Sequence, residues 1–219
     1  MNKQQLAAKI WESANKMRSK IEANEYKDYI LGFIFYKYLS DKQEQWLLKR
    51  DYAPEDIVEY VNEDDPEIVE ASQQSLGYFI AYKDMFSTWI HMGSDFSVDN
   101  VRTALSSFTR LISPSHKKVF DGIFNTLETG LSKLGENTKS QTKAVSDLIQ
   151  LINDIPMDGR QDYDVLGFIY EYLIEKFAAN AGKKAGEFYT PRQVSEVMAQ
   201  IVAKTSQIRS IYDPTVGSG

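Results

Sequence analysis

The 219-residue sequence contains no cysteine and only two histidines, His91 and His116. The absence of cysteine excludes disulfides, thiolate nucleophiles and cysteine-based metal sites. Two histidines are too few for a histidine-rich metal centre. His91 lies beside an apolar helical face without an acidic or nucleophilic partner in any motif, so we expect it to be a partly buried structural residue. The chemistry of the protein must therefore be sought among other residue types.

Long apolar runs are also missing. The longest dense one, Tyr29–Leu39, contains Gly32 and Lys37 and is about half as long as a helix that spans a bilayer. Residues 1–20 carry six charged side chains spread along their length and lack the unbroken apolar core of a signal peptide. The content of 42% hydrophobic and 12% aromatic residues is sufficient for a real core. We expect a cytoplasmic protein without membrane contact.

An excess of basic residues is absent as well, since the net charge is −6. Affinity for DNA depends largely on neutralising phosphates, so the chain does not bind nucleic acid over its whole surface. The segment Asp51–Glu70 contains nine acids and no base, and the remainder of the chain therefore sums to +3. This acidic segment fits either a solvated surface or a docking site for a basic partner. The best basic patch contains Arg102, Arg110, His116, Lys117 and Lys118, and it fits either DNA phosphates or charge balance with the acidic segment.

Residues 1 to about 180 show a succession of helical patterns. Tyr26–Leu48 is apolar on nearly every side, which predicts the central helix of an N-terminal bundle. Pro54 and Pro66 are placed to begin helices, Asp65 and Ser97 to cap them, and Gly77 to end one. The aromatic run Tyr78–Tyr82 is compatible with an extended segment on the bundle. Glu128–Gln141, rich in glycine, serine and threonine, is predicted to be a flexible connection before a helix that resumes by Thr142.

The last third of the chain begins with a strongly apolar helix from about Val165, capped by Asp162 or Asp164 and closed by Gly182. A loop from Gly186 then leads into a second helix, for which Thr190 is a suitable N-cap and Pro191 a suitable first residue. That helix carries an apolar stripe of Val194, Val197, Met198, Ile201 and Val202. A strand-like run, Ile208–Tyr212, follows and ends in an acid, a proline and two glycines. Such a turn lets backbone N–H groups approach a ligand closely.

Two stretches of this region resemble motifs of a known family. Asp213-Pro214-Thr215-Val216-Gly217-Ser218-Gly219 is similar to the Asp-Pro-x-x-Gly-x-Gly motif with which amino-group DNA methyltransferases hold S-adenosylmethionine. Glu187-Phe188-Tyr189-Thr190-Pro191-Arg192 is similar to the motif that precedes it in the adenine-N6 branch. Their order and spacing resemble the modification (HsdM-type) subunit of a type I restriction-modification system. Asp164–Leu173 also looks like the segment that introduces the methyltransferase domain of such subunits.

This resemblance implies a mainly α fold, in which an N-terminal helical bundle (residues 1–160) precedes the truncated start of a Rossmann-like α/β methyltransferase domain (residues 161–219). It implies S-adenosylmethionine as cofactor. Glu187, Phe188, Tyr189, Thr190, Pro191 and Arg192 would line its methionine end, and Asp213, Gly217, Ser218 and Gly219 its nucleoside and carboxylate side. Phe188 and Tyr189 are also compatible with ordinary packing of a loop on the following helix. No metal and no covalent intermediate are expected.

The sequence also departs from the family pattern. Thr215-Val216 replaces the more usual Ala-Cys, and the acidic ribose-binding residue and the Asn-Pro-Pro-aromatic motif expected further along are absent. No catalytic residue is therefore assigned, and these 219 residues alone are expected to be inactive.

The partners implied by the resemblance are DNA, a specificity subunit, a restriction subunit and a second M subunit. Two alternatives stay open. One is a non-catalytic helical module for subunit assembly and DNA clamping, and the other is part of a single-chain restriction-methyltransferase fusion.

Overall fold

The computed structural model describes residues 1–17, 23–157, 163–180, 192–204, 210 and 212. These residues form α-helices, turns and 3-10 segments, and they contain no β-strand. In chain order the helices are α1 (Lys3–Met17), α2 (Ala23–Leu48), α3 (Pro54–Tyr60), α4 (Pro66–Leu76), α5 (Phe86–Met92), α6 (Val98–Arg110), α7 (Lys117–Phe120), α8 (Asn125–Gly130), α9 (Thr138–Asn153), α10 (Val165–Asn180) and α11 (Arg192–Ala203). The predicted mainly α-helical fold is confirmed over this part of the chain.

Helix α2 lies at the centre of the bundle, as its apolar residues on nearly every side predict. It packs against α1, α5, α8, α9 and α10. Its largest buried side chains include Tyr29, Phe33 and Tyr36, each no more than 2% exposed. Burying an apolar side chain of this size contributes about 1.5–3 kcal/mol. The surrounding helices therefore hold α2 in place through its side chains.

A cluster of aromatic rings joins α2 to the second half of the bundle. Tyr36 stacks on Trp89 of α5, with ring centroids 4.8 Å apart and ring planes 10° apart. Phe124 meets Tyr36 edge-on at 5.4 Å and meets Phe108 of α6 edge-on at 5.2 Å. Stacked and edge-to-face pairs each contribute about 0.5–1.5 kcal/mol beyond their burial. The cluster therefore fixes α5 and α6 relative to α2.

The predicted helix boundaries in the first half of the chain are confirmed. Helix α3 begins at Pro54 and α4 at Pro66. The Asp65 carboxylate caps α4 by accepting hydrogen bonds from two backbone N–H groups of its first turn, at 3.0 and 3.4 Å. Gly77 ends α4 in the left-handed region with φ of 91°, where only glycine is unstrained. The Ser97 side chain caps α6.

Between α4 and α5 the chain leaves helical conformation while remaining buried. Tyr78, Phe79, Ile80 and Ala81 are all at most 2% exposed. Buried backbone groups need hydrogen-bond partners, and the Gln43 side chain of α2 supplies them. Its Nε2 donates to the Ile80 carbonyl at 2.6 Å, and its Oε1 accepts from the Ile80 N–H at 2.8 Å. The segment thus packs on the bundle as the sequence allowed, with extended dihedral angles at Ala81.

The flexible connection predicted for Glu128–Gln141 is wrong. Helix α8 and a 3-10 turn occupy its first half, and α9 already begins at Thr138. Leu131 and Leu134 are buried, and the Gln141 side chain donates to two backbone carbonyls of the preceding turn, at 3.2 and 2.9 Å. Two leucines and one buried amide therefore order a stretch whose glycines and serines indicated a loop.

Helices α10 and α11 represent the last third of the chain. Asp164 caps α10 by accepting a hydrogen bond from the Gly167 N–H at 3.0 Å, which confirms one of the two predicted caps. Helix α10 packs against α1 and α2. The predicted strand Ile208–Tyr212 lies largely outside the described residues, and Ser210 and Tyr212 within it are irregular. The Rossmann-like start of the domain stays a prediction.

Candidate functional site

The residues predicted to bind the cofactor fall almost entirely outside the described part of the chain. Glu187, Phe188, Tyr189, Thr190 and Pro191 lie in the gap before α11. Asp213, Gly217, Ser218 and Gly219 follow the last described residue. Arg192 is described as the first residue of α11, so the helix predicted behind Thr190-Pro191 is present. The assignment of these ten residues to a cofactor stays a prediction.

Tyr163 and Phe168, at the start of the N-6 DNA methylase-like part of the chain's last third, contact the N-terminus of the bundle. The Tyr163 hydroxyl donates to the backbone carbonyl of Met1 at 3.2 Å. The Lys3 ammonium lies 5.1 Å from the centroid of the Tyr163 ring and 5.8 Å from that of Phe168 in α10. An ammonium over a ring face is attracted by the ring quadrupole. Met1 and Lys3 therefore hold Tyr163 and the first turn of α10 through three contacts.

A groove opens beside this junction, between α2, α8 and α10. We call it the α2–α10 groove. Its volume is about 770 Å³, and it is lined by Asp28, Leu31, Gly32, Phe35, Tyr38, Ile123, Thr126, Leu127, Asp164, Leu166, Gly167 and Tyr170. The lining is predominantly apolar and aromatic, and both of its charged side chains are carboxylates. Sequence reasoning missed this groove, although the glycine inside the apolar α2 pattern was a signal for a close approach or an opening.

Glycine explains part of the groove's shape. A Cβ added at Gly32 would lie 3.1 Å from Leu127 of α8, tighter than ordinary van der Waals contact. A Cβ added at Gly167 would lie 2.3 Å from the Asp164 carboxylate, which is too close for the capping carboxylate to keep its position. The two glycines therefore let α8 approach α2 and let Asp164 cap α10.

The basic patch predicted around residues 102–118 is partly used within the fold. The Arg102 guanidinium donates to Asp99 and, at 2.7 Å, to the Gln141 side chain. Arg110 pairs with Glu63 of the acidic segment. Lys117 and Lys118 are exposed. Charge balance with the acidic segment, one of the two interpretations of this patch, is thereby confirmed for Arg110, and phosphate contact by Lys117 and Lys118 stays a prediction.

The acidic segment Asp51–Glu70 is mainly a solvated surface. Most of its carboxylates are exposed, whereas the Glu63 carboxylate forms ion pairs with Lys83 and Arg110. Hydrogen bonds from Arg110 and then from Lys83, the latter at 3.1 Å, lower the pKa of the Glu63 carboxyl. Glu63 therefore stays ionised and joins the segment to α6 and to the turn that precedes α5.

The two histidines have structural surroundings. His91 is exposed near the end of α5, so the predicted partial burial is wrong. His116 Nδ1 lies 2.9 Å from the Ser113 hydroxyl and 3.0 Å from the Ser115 hydroxyl.

Within the described ranges, no group of three or more metal-binding side chains is assembled. Within the same ranges, no helix combines the length and the apolar character that crossing a bilayer requires.

Two families match the chain, one after the other. Residues 6–152 match the family described as HsdM N-terminal domain. Residues 161–219 match the family described as N-6 DNA Methylase. The first match alone covers more than half of the chain, and the helical fold described above is the fold of that region. The class that these matches define is therefore a chain with an HsdM N-terminal domain, followed by a segment similar to the N-6 DNA Methylase family.

Similar proteins that align along nearly the whole chain are more specific. The methylase subunit of the type I restriction enzyme MpnII from Mycoplasma pneumoniae is 30% identical over 96% of this chain and 42% of its own length. The MjaIX methylase subunit from Methanocaldococcus jannaschii is 27% identical over 96% of this chain and 37% of its own length. The chain thus spans about two fifths of the length of these curated relatives.

A solved structure agrees with these relatives. The crystal structure of the type I restriction-modification system methyltransferase subunit from Streptococcus thermophilus is similar with a TM-score of 0.77 and 29% identity, over 94% of this chain and 45% of that one. The chain belongs to the HsdM family of type I restriction-modification methylase subunits. The resemblance read from the motifs is confirmed.

Proposed function

We propose that the chain forms the N-terminal part of a type I M subunit that transfers a methyl group from S-adenosylmethionine to the N6 amine of adenine in DNA. The observation that carries the proposal is the order of the two family matches, HsdM N-terminal domain and then N-6 DNA Methylase, on one chain. The second match contains both predicted cofactor motifs. The HsdM N-terminal match comes before the N-6 DNA Methylase match, which is the order that the resemblance of the motifs implies.

The cofactor residues of the proposal are the ten predicted from sequence. Residues 187–192 would line the methionine end of the cofactor, and Asp213 with Gly217, Ser218 and Gly219 its nucleoside and carboxylate side. The donor set suits such a ligand: acids can pair with an ammonium or accept from hydroxyls, and glycine backbone N–H groups can donate to a carboxylate. S-adenosylmethionine supplies an electrophilic methyl group when bound.

The chain's own contribution to the reaction is positioning. A target base inside a duplex must be flipped out of the stack before an enzyme can reach its amine. The exocyclic amine is a weak nucleophile, so correct placement relative to the methyl group supplies much of the rate. In this role the protein works in the cytoplasm with DNA, a specificity subunit, a restriction subunit and a second M subunit as partners.

The cofactor assignment is tested by alanine variants of the loop motif. In the complete M subunit assembled with its specificity subunit, Tyr189→Ala and Thr190→Ala are expected to weaken S-adenosylmethionine binding. Loss of the Thr190 cap costs about 1–2 kcal/mol of stability at most, so both proteins stay folded. Val119→Ala, at a 63% exposed position of α7, serves as the matched control. Unchanged affinity in both loop variants would assign this loop a structural role only.

The reaction itself is tested by product analysis. The assembled complex is expected to transfer label from S-adenosylmethionine to DNA and to yield N6-methyladenine on nucleoside chromatography. The same assay separates the proposal from the non-catalytic alternative, because a non-catalytic module yields no labelled product. The full-length reading frame separates it from the fusion, which would carry nuclease and specificity regions on the same polypeptide. The 219-residue chain alone is expected to show no saturable S-adenosylmethionine site in calorimetry, since the glycine motif needs neighbouring parallel strands to hold its N–H groups. A one-to-one site of micromolar affinity would contradict that expectation.

A further inference from the structure

Helix α10 packs as a member of the N-terminal bundle, although it lies in the second of the two family matches. The N-6 DNA Methylase match begins at residue 161, after the HsdM N-terminal match has ended at residue 152. Helix α10 nevertheless packs against α1 and α2. Its residues Val165, Ile169 and Leu173 lie on one face of the helix, are at most 8% exposed and belong to the same hydrophobic core as those two helices. The first helix of the methylase-like segment is therefore built into the bundle.

The start of α10 is fixed by four side chains, Lys3, Tyr163, Phe168 and Tyr172, which we call the Lys3 cluster. The Lys3 ammonium contacts the Tyr163 and Phe168 rings at 5.1 and 5.8 Å from their centroids. Those two rings meet edge-on, with centroids 6.0 Å apart and planes 76° apart. Phe168 in turn stacks on Tyr172, with centroids 6.1 Å apart. A cation of α1 is thus attracted to rings on both sides of the Asp164 cap.

These contacts are directional, unlike the burial of the apolar face. The hydrophobic effect is non-directional and roughly proportional to the area removed from water, so it holds α10 on the bundle without strongly opposing a small slide along the helix axis. A cation over a ring depends on angle and distance. The same is true of the hydrogen bond from the Tyr163 hydroxyl to the Met1 carbonyl at 3.2 Å. These contacts therefore help to select one position of α10 along α1.

The position of α10 limits where the segment after it can lie. Residues 181–186 alone separate the end of α10 from Glu187, and a chain of that length restricts the distance between its ends. We propose that Lys3 and Tyr163 are positioning residues for the cofactor, which act through α10 on the segment that carries the Glu187–Arg192 motif. The inference rests on the proposed function, because it takes that motif to bind S-adenosylmethionine. It assigns a role in methyl transfer to the first residues of the helical domain.

The first test measures S-adenosylmethionine binding by calorimetry, in the complete M subunit assembled with its specificity subunit. Lys3→Met removes the charge and keeps an unbranched side chain, and we expect it to raise the Kd for the cofactor about three- to tenfold. Lys3→Arg, whose guanidinium also lies favourably over aromatic rings, should stay within about twofold of the unaltered complex. Lys139→Met, at an exposed position of α9 outside the cluster, is the control and should leave the Kd unchanged.

The same measurement separates this inference from the proposed function. An unaltered complex that binds no S-adenosylmethionine refutes the proposed function and the positioning role with it. An unaltered complex that binds the cofactor, with the same Kd in Lys3→Met, refutes the positioning role alone. If Lys3 acts through the Tyr163 ring, a Lys3→Met/Tyr163→Leu double variant should lose less affinity than the two single variants together. Independent effects of the two substitutions would overturn the assignment of these residues to one cluster.

Hydrogen exchange of the same complex without cofactor separates positioning from general stability. In Lys3→Met the backbone amides of α10 should exchange faster than in the unaltered complex, while those of α6 keep their rate. Faster exchange in α10 with normal cofactor affinity would show that the cluster only stabilises this helix. An equal increase in α6 would show a loss of global stability. Either result refutes a positioning role for Lys3 and Tyr163.

Discussion

Replacing Asp84 with asparagine is expected to stabilise the protein at neutral pH. Asp84 lies in the turn before α5 and is only 4% exposed. Its Oδ2 atom is buried without a hydrogen-bond partner. Burial raises the pKa of the Asp84 carboxyl from 3.8 to about 6, with Lys83 and Arg110 partly offsetting the effect. At neutral pH the Asp84 carboxyl is therefore ionised although its burial disfavours the charge.

The sign and the size follow from linkage. Because the folded-state pKa is raised, this carboxyl favours folding most below about pH 4, and its contribution is lost as the pH rises to about 6. Each unit of pKa difference corresponds to about 1.4 kcal/mol, so the penalty above pH 6 approaches about 3 kcal/mol. Asparagine carries no charge but leaves an amide in the same place, and an unpaired buried amide still costs about 1–3 kcal/mol. We therefore expect a net gain of up to about 2 kcal/mol at pH 7.5.

Urea unfolding followed by circular dichroism, for both proteins between pH 4.5 and 8, measures this difference directly. The advantage of Asp84→Asn should be smallest at pH 4.5, grow to about pH 6 and then stay constant. Asp95→Asn, at an exposed position, is the control and should change stability by less than about 0.5 kcal/mol at every pH. A pH-independent difference between Asp84→Asn and the unchanged protein would refute the assignment of a raised pKa.

Three further substitutions test how the bundle is held together, each by denaturant unfolding. Gly130→Ala should destabilise the fold by about 2–3 kcal/mol, because the added Cβ would lie 1.8 Å from the buried Tyr29 ring. In a Gly130→Ala/Tyr29→Leu double variant the smaller side chain should relieve this clash, so the double variant should lose less stability than the sum of the two single variants. Losses that simply add would contradict the clash. Gln43→Met should cost about 2–4 kcal/mol by leaving both backbone groups of Ile80 unpaired, and a loss below about 1 kcal/mol would show that water replaces the amide. Asp65→Ala should cost about 1 kcal/mol, with Asp65→Asn, which keeps a capping oxygen, as the neutral control.

Local chemistry explains why much of the helical framework was predictable. A proline fits the first turn of a helix, and aspartate or serine caps it, whatever the tertiary surroundings are. The helix starts at Pro54, Asp65 and Ser97 were therefore predicted correctly, and so was the helix end at Gly77. Helix α2 was recognised as central because a helix that is apolar on nearly every side must be covered on nearly every side.

The errors came from features whose outcome depends on distant partners. Glycine and serine between residues 128 and 141 indicated a loop. In the fold, however, Leu131 and Leu134 are buried in the core, and the Gln141 side chain donates hydrogen bonds to two backbone carbonyls. His91 was expected to be partly buried because its neighbours along the chain are apolar. Its exposure depends on where α5 ends relative to the bundle, which no local pattern contains.

The sequence by itself determined the family, because the motifs that resemble those of the family are contiguous runs with a fixed order and spacing along the chain. Asp213–Gly219 and Glu187–Arg192 are two such runs. Only the tertiary structure showed the α2–α10 groove, the ion pair between Arg110 and Glu63 and the burial of Asp84. Each of these depends on side chains that are far apart in sequence and meet only when helices pack, and the energy of a charge or an apolar face is set by those neighbours.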